Sequence, residues 1–147
     1  MKIDKYEYPD EFLYYIADPG HLWIRRLTNS IQIGIDDFSQ DLAGKISFVR
    51  IKKEGAKVSR GTTIGTFETT KWVGPIKTPV DGTIAKRNQV LVDRPEIINE
   101  KPNESWIVEI AVDDVEKQLN HPDIVPVGEK LKRYVLSEIR EHRDTLE

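Results

Sequence analysis

Short apolar runs separated by turn-forming residues recur through the middle of this chain, and their spacing is typical of β-structure. In Ile31–Ile35 three isoleucines alternate with Gln32 and Gly34, so the isoleucines share one face of a strand. Closely spaced strands with turns between them predict a mainly β fold, either a sandwich or a barrel. The other predicted strands are His21–Leu27, Ile46–Ile51 (with one buried face), Lys57–Val58, Thr62–Thr69, Ile76–Thr78, Thr83–Arg87 and Ser105–Val112, the last of the chain.

Helical patterns are short until the end of the chain. Short helical segments are predicted at Phe38–Ala43, Pro95–Asn99 and Asp113–Leu119. The first of these is capped by Asp36 or Asp37 and ended by Gly44. From Glu129 to Arg143, apolar residues recur at helical spacing and charged residues occupy the other face. This pattern predicts a C-terminal helix that packs its apolar stripe on the sheet, with docking to a partner as the alternative.

Length and charge limit the classes of function. The 147 residues predict one domain, spanning 1–147. A formal charge of −3 argues against a general nucleic-acid binder, and the absence of cysteine excludes disulfides and zinc–thiolate sites. The N-terminus lacks the apolar core of a signal peptide, and no apolar run approaches membrane-spanning length. We therefore expect a cytoplasmic protein that binds neither nucleic acid nor membrane.

One lysine stands at a position where a β-run ends and another begins. Lys71 follows Glu68 by three residues, and the turn Pro79–Gly82 comes eight residues after the lysine. A surface lysine alone is an ordinary solvated charge. Between two predicted strand arms, however, Lys71 is placed to offer a primary amine at the tip of a hairpin, where another enzyme can modify it.

Several separated motifs resemble the glycine cleavage H-protein family. The resemblance covers about residues 20–112, and leaves 1–19 as an N-terminal extension and 113–147 as a helical tail. It is carried by His21-Leu22-Trp23, by Gly34–Gly44 with the strand that follows, by the segment around Lys71, and by Pro79–Gly82, Asn88, Pro95–Glu100, Pro102 and Trp106.

The resemblance implies a flattened barrel-sandwich of antiparallel sheets that carries lipoic acid covalently on Lys71. The protein would then be a non-catalytic carrier, served by a lipoate ligase or lipoyl transferase and by dihydrolipoamide dehydrogenase. Glu68 is either a recognition group for the attachment enzyme or an ordinary solvent-facing carboxylate. Trp72 either covers the arm or belongs to a partner epitope.

The chain departs from the family pattern where polar groups hold an aminomethyl-loaded arm. Gly20 and Gly74 replace serines, Leu22 replaces a glutamate and Pro75 an aspartate. A cargo ammonium would therefore lose charge-assisted hydrogen bonds, each contributing about 1.5–3 kcal/mol. The pattern favours slightly a branch of lipoyl carriers that serves sulfur oxidation with heterodisulfide-reductase-like enzymes. The alternatives are a glycine cleavage H protein working with glycine decarboxylase and aminomethyltransferase, or an unlipoylated interaction module of the same fold.

Other arrangements that could support chemistry are weak. The three histidines lie far apart in sequence, so His21 is predicted to be a hydrogen-bonded structural residue and no metal site is predicted. Nothing in the sequence combines a nucleophile, a base and an orienting group. We therefore predict no catalytic residues and no enzymatic activity.

Overall fold

The computed structural model describes residues 1–146. Glu147, the last residue of the predicted helical tail 113–147, lies outside the described residues. The strands are β1 (Lys2–Ile3), β2 (Tyr6–Glu7), β3 (Leu13–Tyr15), β4 (Leu22–Arg26), β5 (Ser30–Ile35), β6 (Phe48–Ile51), β7 (Lys57–Val58), β8 (Thr63–Glu68), β9 (Val73–Lys77), β10 (Gly82–Arg87), β11 (Val108–Ala111) and β12 (Ile124–Val125).

The helices are short, apart from one near the C-terminus. They are α1 (Asp37–Ala43), α2 (Gln89–Asp93), α3 (Ile97–Glu100), α4 (Val115–Leu119), α5 (Glu129–Glu141) and α6 (Arg143–Leu146), with a 3₁₀ turn at Pro102–Glu104. The Asp36 carboxylate caps α1 by accepting a hydrogen bond from the Ser39 N–H at 2.8 Å. Gly44 ends α1 with φ of +78°, a conformation that glycine adopts easily. No described helix is both long and apolar enough to cross a membrane.

Antiparallel pairing joins the strands into one large and two small sheets. Seven strands form a curled sheet in the order β12-β3-β4-β5-β11-β10-β7, and three form a second sheet in the order β6-β8-β9. The remaining pair, β1 and β2, forms a short ribbon. The prediction of a mainly β barrel-sandwich with short helices and a C-terminal helix is confirmed.

The inner core lies between the seven-stranded and three-stranded sheets. Ile31, Ile33 and Ile35 are fully buried there, as their alternation predicts. Val49 on β6 also faces inward, whereas Phe48 faces solvent with 57% of its surface exposed. The three-stranded sheet thus has one buried and one open face.

A second, outer core covers the opposite face of the seven-stranded sheet. Trp23 is fully buried there, stacked on Phe12 with ring centroids 4.4 Å apart. The N-terminal segment contributes Ile3, Tyr6 and Tyr8 to the same cluster, and α5 contributes Leu131 and Val135. The predicted packing of the tail helix stripe is therefore confirmed. The predicted N-terminal extension, residues 1–19, thus contributes buried side chains to a core.

Several details differ from the sequence predictions, which did not include the N-terminal strands β1, β2 and β3. The strand predicted at Ser105–Val112 begins at Val108, because Ser105 still belongs to the preceding turn through hydrogen bonds to Lys101 and Pro102. It is not the last strand, since β12 pairs with β3 later in the chain. Helix α2 was not predicted, because its five residues are too few to show a period. Strand β9, the second strand of the hairpin that carries Lys71, begins at Val73 rather than at Ile76.

Candidate functional site

The hairpin of β8 and β9 carries Lys71 at its tip. Only Thr69 to Trp72 connect the two strands, and the Thr69 N–H donates to the Trp72 carbonyl at 3.0 Å. The Thr69 hydroxyl oxygen accepts hydrogen bonds from the N–H groups of Lys71 and Trp72 at 3.2 and 3.3 Å. A threonine side chain thus satisfies the backbone of the turn, as it does in turns of this kind. The tip is held locally and needs nothing from the lysine side chain.

Lys71 is exposed, and within residues 1–146 its ammonium group forms no ion pair. Its neighbours on the tip offer threonine hydroxyls and an indole, none of which neutralises an amine. A primary amine with free solvent access can enter another enzyme's active site. The geometry therefore fits a covalent amide bond to a carboxylic acid cofactor at this nitrogen.

Glu68, the second candidate residue, lies at the end of β8 and is half-buried. Its Oε2 atom lies 3.2 Å from Nε of Arg50 on β6. Arg50 is largely exposed, and ion pairs on a surface of this kind contribute only about 0.2–1 kcal/mol. Glu68 can therefore exchange Arg50 for another partner at small cost. Its role in recognition by an attachment enzyme stays a prediction.

Trp72, the third candidate, is 39% exposed and leans on the end of the inner core. Its ring meets Phe67 edge-on with centroids 5.5 Å apart. A Cβ atom on Gly74 would lie 2.6 Å from atoms of both rings, so glycine leaves room for this pair. One side of the Trp72 ring thus packs on Phe67, and the other side is exposed to solvent. Whether it covers an arm or meets a partner stays a prediction.

Of the four positions where the family resemblance places polar groups, Gly20, Leu22 and Gly74 are closed in this structure, and the exposed fourth is a proline. A Cβ atom on Gly20 would lie 2.4 Å from the Tyr15 carbonyl oxygen, so a serine there requires the backbone to move. Leu22 is 4% exposed and belongs to the inner core. Pro75 sits on β9, an edge strand, where its missing N–H is tolerated. None of these positions, nor Gly74, offers a carboxylate to a bound ammonium group.

His21, the residue before β4, forms polar side-chain contacts with Asp36 at the start of α1 and Glu138 on α5. Its Nδ1 lies 3.3 Å from Oδ2 of Asp36, and its Nε2 lies 2.7 Å from Oε1 of Glu138. Burial alone lowers the pKa of His21, but the two carboxylates outweigh burial and raise this pKa to about 9. The hydrogen bond from His21 in turn lowers the pKa of Glu138. The prediction that His21 is a hydrogen-bonded structural residue is confirmed.

Two features of the site were not singled out from the sequence. The Thr69 cap was overlooked, although a threonine two residues before the tip lysine is a signal for a side-chain turn. Phe48 was placed in a strand, but its exposure beside Glu68 follows from the register of β6 against β8. A single sequence does not show which face of a partner strand is open.

The structure therefore defines a class of protein: a barrel-sandwich domain that presents one lysine at a hairpin tip, as covalent carrier domains do. The sequence profile of the family described as Glycine cleavage H-protein matches residues 13–132. This match extends beyond the expected 20–112 at both ends, into β3 and the start of α5.

Individual relatives agree with the profile. The chain is 37% identical over 132 residues to "Probable glycine cleavage system H protein 3" of Sulfurisphaera tokodaii, covering 90% of this chain and 92% of the relative. It is 34% identical to "Glycine cleavage system H protein 2" of Aquifex aeolicus, covering 84% and 78%. A crystal structure of a glycine cleavage system H protein from Mycobacterium marinum shares the fold, with a TM-score of 0.72, 24% identity, and coverage of 89% of this chain and 98% of that one. The chain belongs to the glycine cleavage H-protein family.

Proposed function

We propose that this protein is a lipoyl carrier with Lys71 as its attachment residue and no catalytic activity of its own. The observation that carries the proposal is an exposed amine, without an ion pair among residues 1–146, at the tip of a four-residue hairpin turn in a member of this family. The hydrogen bonds of the turn 69–72 join backbone groups and the Thr69 hydroxyl, without the lysine side chain, so acylation of Lys71 leaves them intact. When bound, the lipoyl group supplies a dithiolane that can be reduced, oxidised or bonded to a cargo.

The chain's own part in this function is to hold and present the arm. Amide formation removes the charge of Lys71 and creates an arm of on the order of ten rotatable bonds. The hairpin keeps the base of the arm fixed, which raises the effective concentration of its end at each docked enzyme. The partners we propose are a lipoate ligase or lipoyl transferase for attachment and dihydrolipoamide dehydrogenase for reoxidation.

Attachment is tested by intact mass after co-expression with a lipoate ligase and lipoic acid. We expect the protein to gain roughly 188 Da, the increment of one amide condensation with lipoic acid. Lys71→Arg should stay unmodified, while Lys86→Arg, the same change at an exposed lysine outside the hairpin, should be modified like the natural protein. A natural protein that stays bare indicates the unlipoylated interaction module instead. A modified Lys71→Arg variant assigns the arm to another lysine.

The cargo is proposed to be bound through sulfur and to carry no ammonium group, with a slight preference for sulfur oxidation and its heterodisulfide-reductase-like enzymes. Support comes from the closed positions Gly20, Leu22 and Gly74, with Pro75 in place of an acid. The rival cargo is an aminomethyl group supplied by glycine decarboxylase and removed by aminomethyltransferase. The names of the relatives favour this rival.

Mass spectrometry of the lipoylated protein separates the two cargoes. We expect little aminomethyl adduct after incubation with glycine and a glycine decarboxylase, because Gly20, Leu22, Gly74 and Pro75 supply no carboxylate to the cargo ammonium. Pro75→Asp restores one acid on an exposed position of the hairpin and should increase the adduct, whereas Pro75→Ser should not. Ready formation of the adduct on the natural protein would establish glycine cleavage as the function.

A further inference from the structure

The charges of the chain are divided between two parts of the sequence. Residues 45–94 contain eleven lysine and arginine residues but four aspartate and glutamate residues, a formal charge of +7. The rest of the chain contains eleven and twenty-one, a formal charge of −10. The positive segment forms the three-stranded sheet, α2, the edge strand β7 and its neighbour β10, and it includes Lys71. The small net charge of the whole chain therefore conceals a strongly basic segment, residues 45–94, around the proposed attachment residue.

The open side of the three-stranded sheet has an apolar centre. Phe48, Glu68 and Val73 lie directly opposite one another across β6, β8 and β9, and so share one face. The next row on this face is Arg50, Thr66 and Pro75. Phe48 and Val73 are 57% and 55% exposed, although both are large apolar residues. We call this surface the hairpin face: Phe48, Arg50, Thr66, Glu68, Val73 and Pro75.

Basic residues continue this surface along the strands, away from the tip. Lys77 follows Pro75 by two residues on β9 and so lies on the same face. Lys52 follows Arg50 by two residues just beyond the end of β6, where its N–H still donates to the Ile64 carbonyl at 2.9 Å. The one acid on the face, Glu68, is already paired with Arg50. A carboxylate on a docked partner thus meets Arg50, Lys52 and Lys77, whose three positive charges exceed the single negative charge of Glu68. An apolar centre with a charged rim is the usual anatomy of a protein interface.

We propose that the hairpin face docks the attachment enzyme, through an acidic surface with an apolar centre beside that enzyme's active site. The inference rests on the proposed function, since it concerns an enzyme acting on Lys71. Any enzyme that acylates this amine must approach the tip at the end of the face. Complementary charge then steers the approach, and Phe48 and Val73 supply apolar contact. The apolar pair and the carboxylate among the basic residues favour a protein partner over nucleic acid, whose contacts are mainly to phosphates.

The test measures binding of the unmodified protein to the lipoate ligase or lipoyl transferase of its own organism. Biolayer interferometry at 50 and 300 mM NaCl is run beside the initial rate of attachment. The triple variant Arg50→Glu/Lys52→Glu/Lys77→Glu should weaken binding at 50 mM by about tenfold or more and remove most of the salt dependence. Phe48→Ser/Val73→Thr should weaken binding at both salt concentrations.

The matched control reverses three exposed charges outside the basic segment: Lys117→Glu/Lys132→Glu/Arg133→Glu. We expect it to bind within about twofold of the natural protein, because its charges lie away from the hairpin face. Circular dichroism confirms that each variant is folded. Equal weakening by the control and the triple variant, or binding independent of salt, would overturn the proposal.

Two further outcomes would assign the face to other occupants. The first is measured by sedimentation of the protein alone at 50 mM NaCl. A dimer that the triple variant abolishes would overturn the proposal, because the hairpin face would then bind the acidic part of a second copy. Tight binding of a 20-base-pair DNA duplex, lost in the triple variant, would assign it to nucleic acid. Binding to the attachment enzyme without any mass increase leaves the docking face standing while the carrier function fails.

Discussion

His21 is a single side chain that ties together segments far apart in sequence. Its ring contacts the Asp36 carboxylate at the start of α1 and the Glu138 carboxylate on α5, and it packs between Phe38 and Tyr134. Its φ of +62° is unusual for a residue with a side chain. We infer that the two ion pairs offset this backbone cost and hold the imidazole in its charged form. The stability of the protein should therefore depend on pH above neutrality.

The sign of this dependence follows from the direction of the pKa change. The folded-state pKa of about 9 exceeds the unfolded value of 6.5, so the stabilisation is complete below pH 6.5 and is lost as pH rises to 9. The free energy of unfolding should fall by up to roughly 3 kcal/mol over this range, measured by urea denaturation at pH 6, 7.5 and 9. His21→Asn, which tolerates positive φ, should remove the slope. His121→Gln should keep it, and equal slopes in the natural protein and His21→Asn would contradict the assignment.

At the scale of elements, what could be predicted depends on how far each pattern reaches along the chain. The strands β4, β5, β8 and β10 have five or six residues each, enough for an alternating pattern to show. The strands β1, β2 and β12 have two residues each, and exist because a partner strand or a core covers them. These three strands were not predicted, whereas the equally short β7 was, because turn residues around Gly55 and Gly61 flank it.

At the candidate site, too, features with a local sequence pattern were predictable and features that depend on the folded sheet were not. The position of Lys71 at a hairpin tip was predictable, because turn residues and strand residues alternate locally around it. The start of β9 at Val73 was not, because Gly74 and Pro75 are poor strand formers. Proline is tolerated there because β9 is an edge strand, and the edge is a property of the sheet order. The basic hairpin face likewise depends on the register of β6 against β8, which only the folded structure gives.

At the scale of the whole molecule, the seven-stranded sheet separates two cores and belongs to both. Along β4, Leu22 and Ile24 enter the inner core while Trp23 between them enters the outer core. On β5, Gly34 lies opposite Trp23, where a Cβ atom would come within 2.3 Å of the indole. Strands β3, β4 and β12 thus contribute alternate residues to the two cores. A mutation that destabilises the outer core should therefore also destabilise the inner core and the hairpin.

Phe12→Ala tests this coupling, because the ring of Phe12 stacks on Trp23 in the outer core. Removing it should cost about 3–5 kcal/mol through the cavity it leaves. If the two cores unfold as one unit, amide hydrogen exchange should accelerate to the same extent in peptides from β3, beside the mutation, and from β8, across the inner core. Glu11→Ala, an exposed neighbour, should leave both rates unchanged. Acceleration confined to residues 1–20 would show instead that the N-terminal segment and the outer core open independently of the domain that carries Lys71.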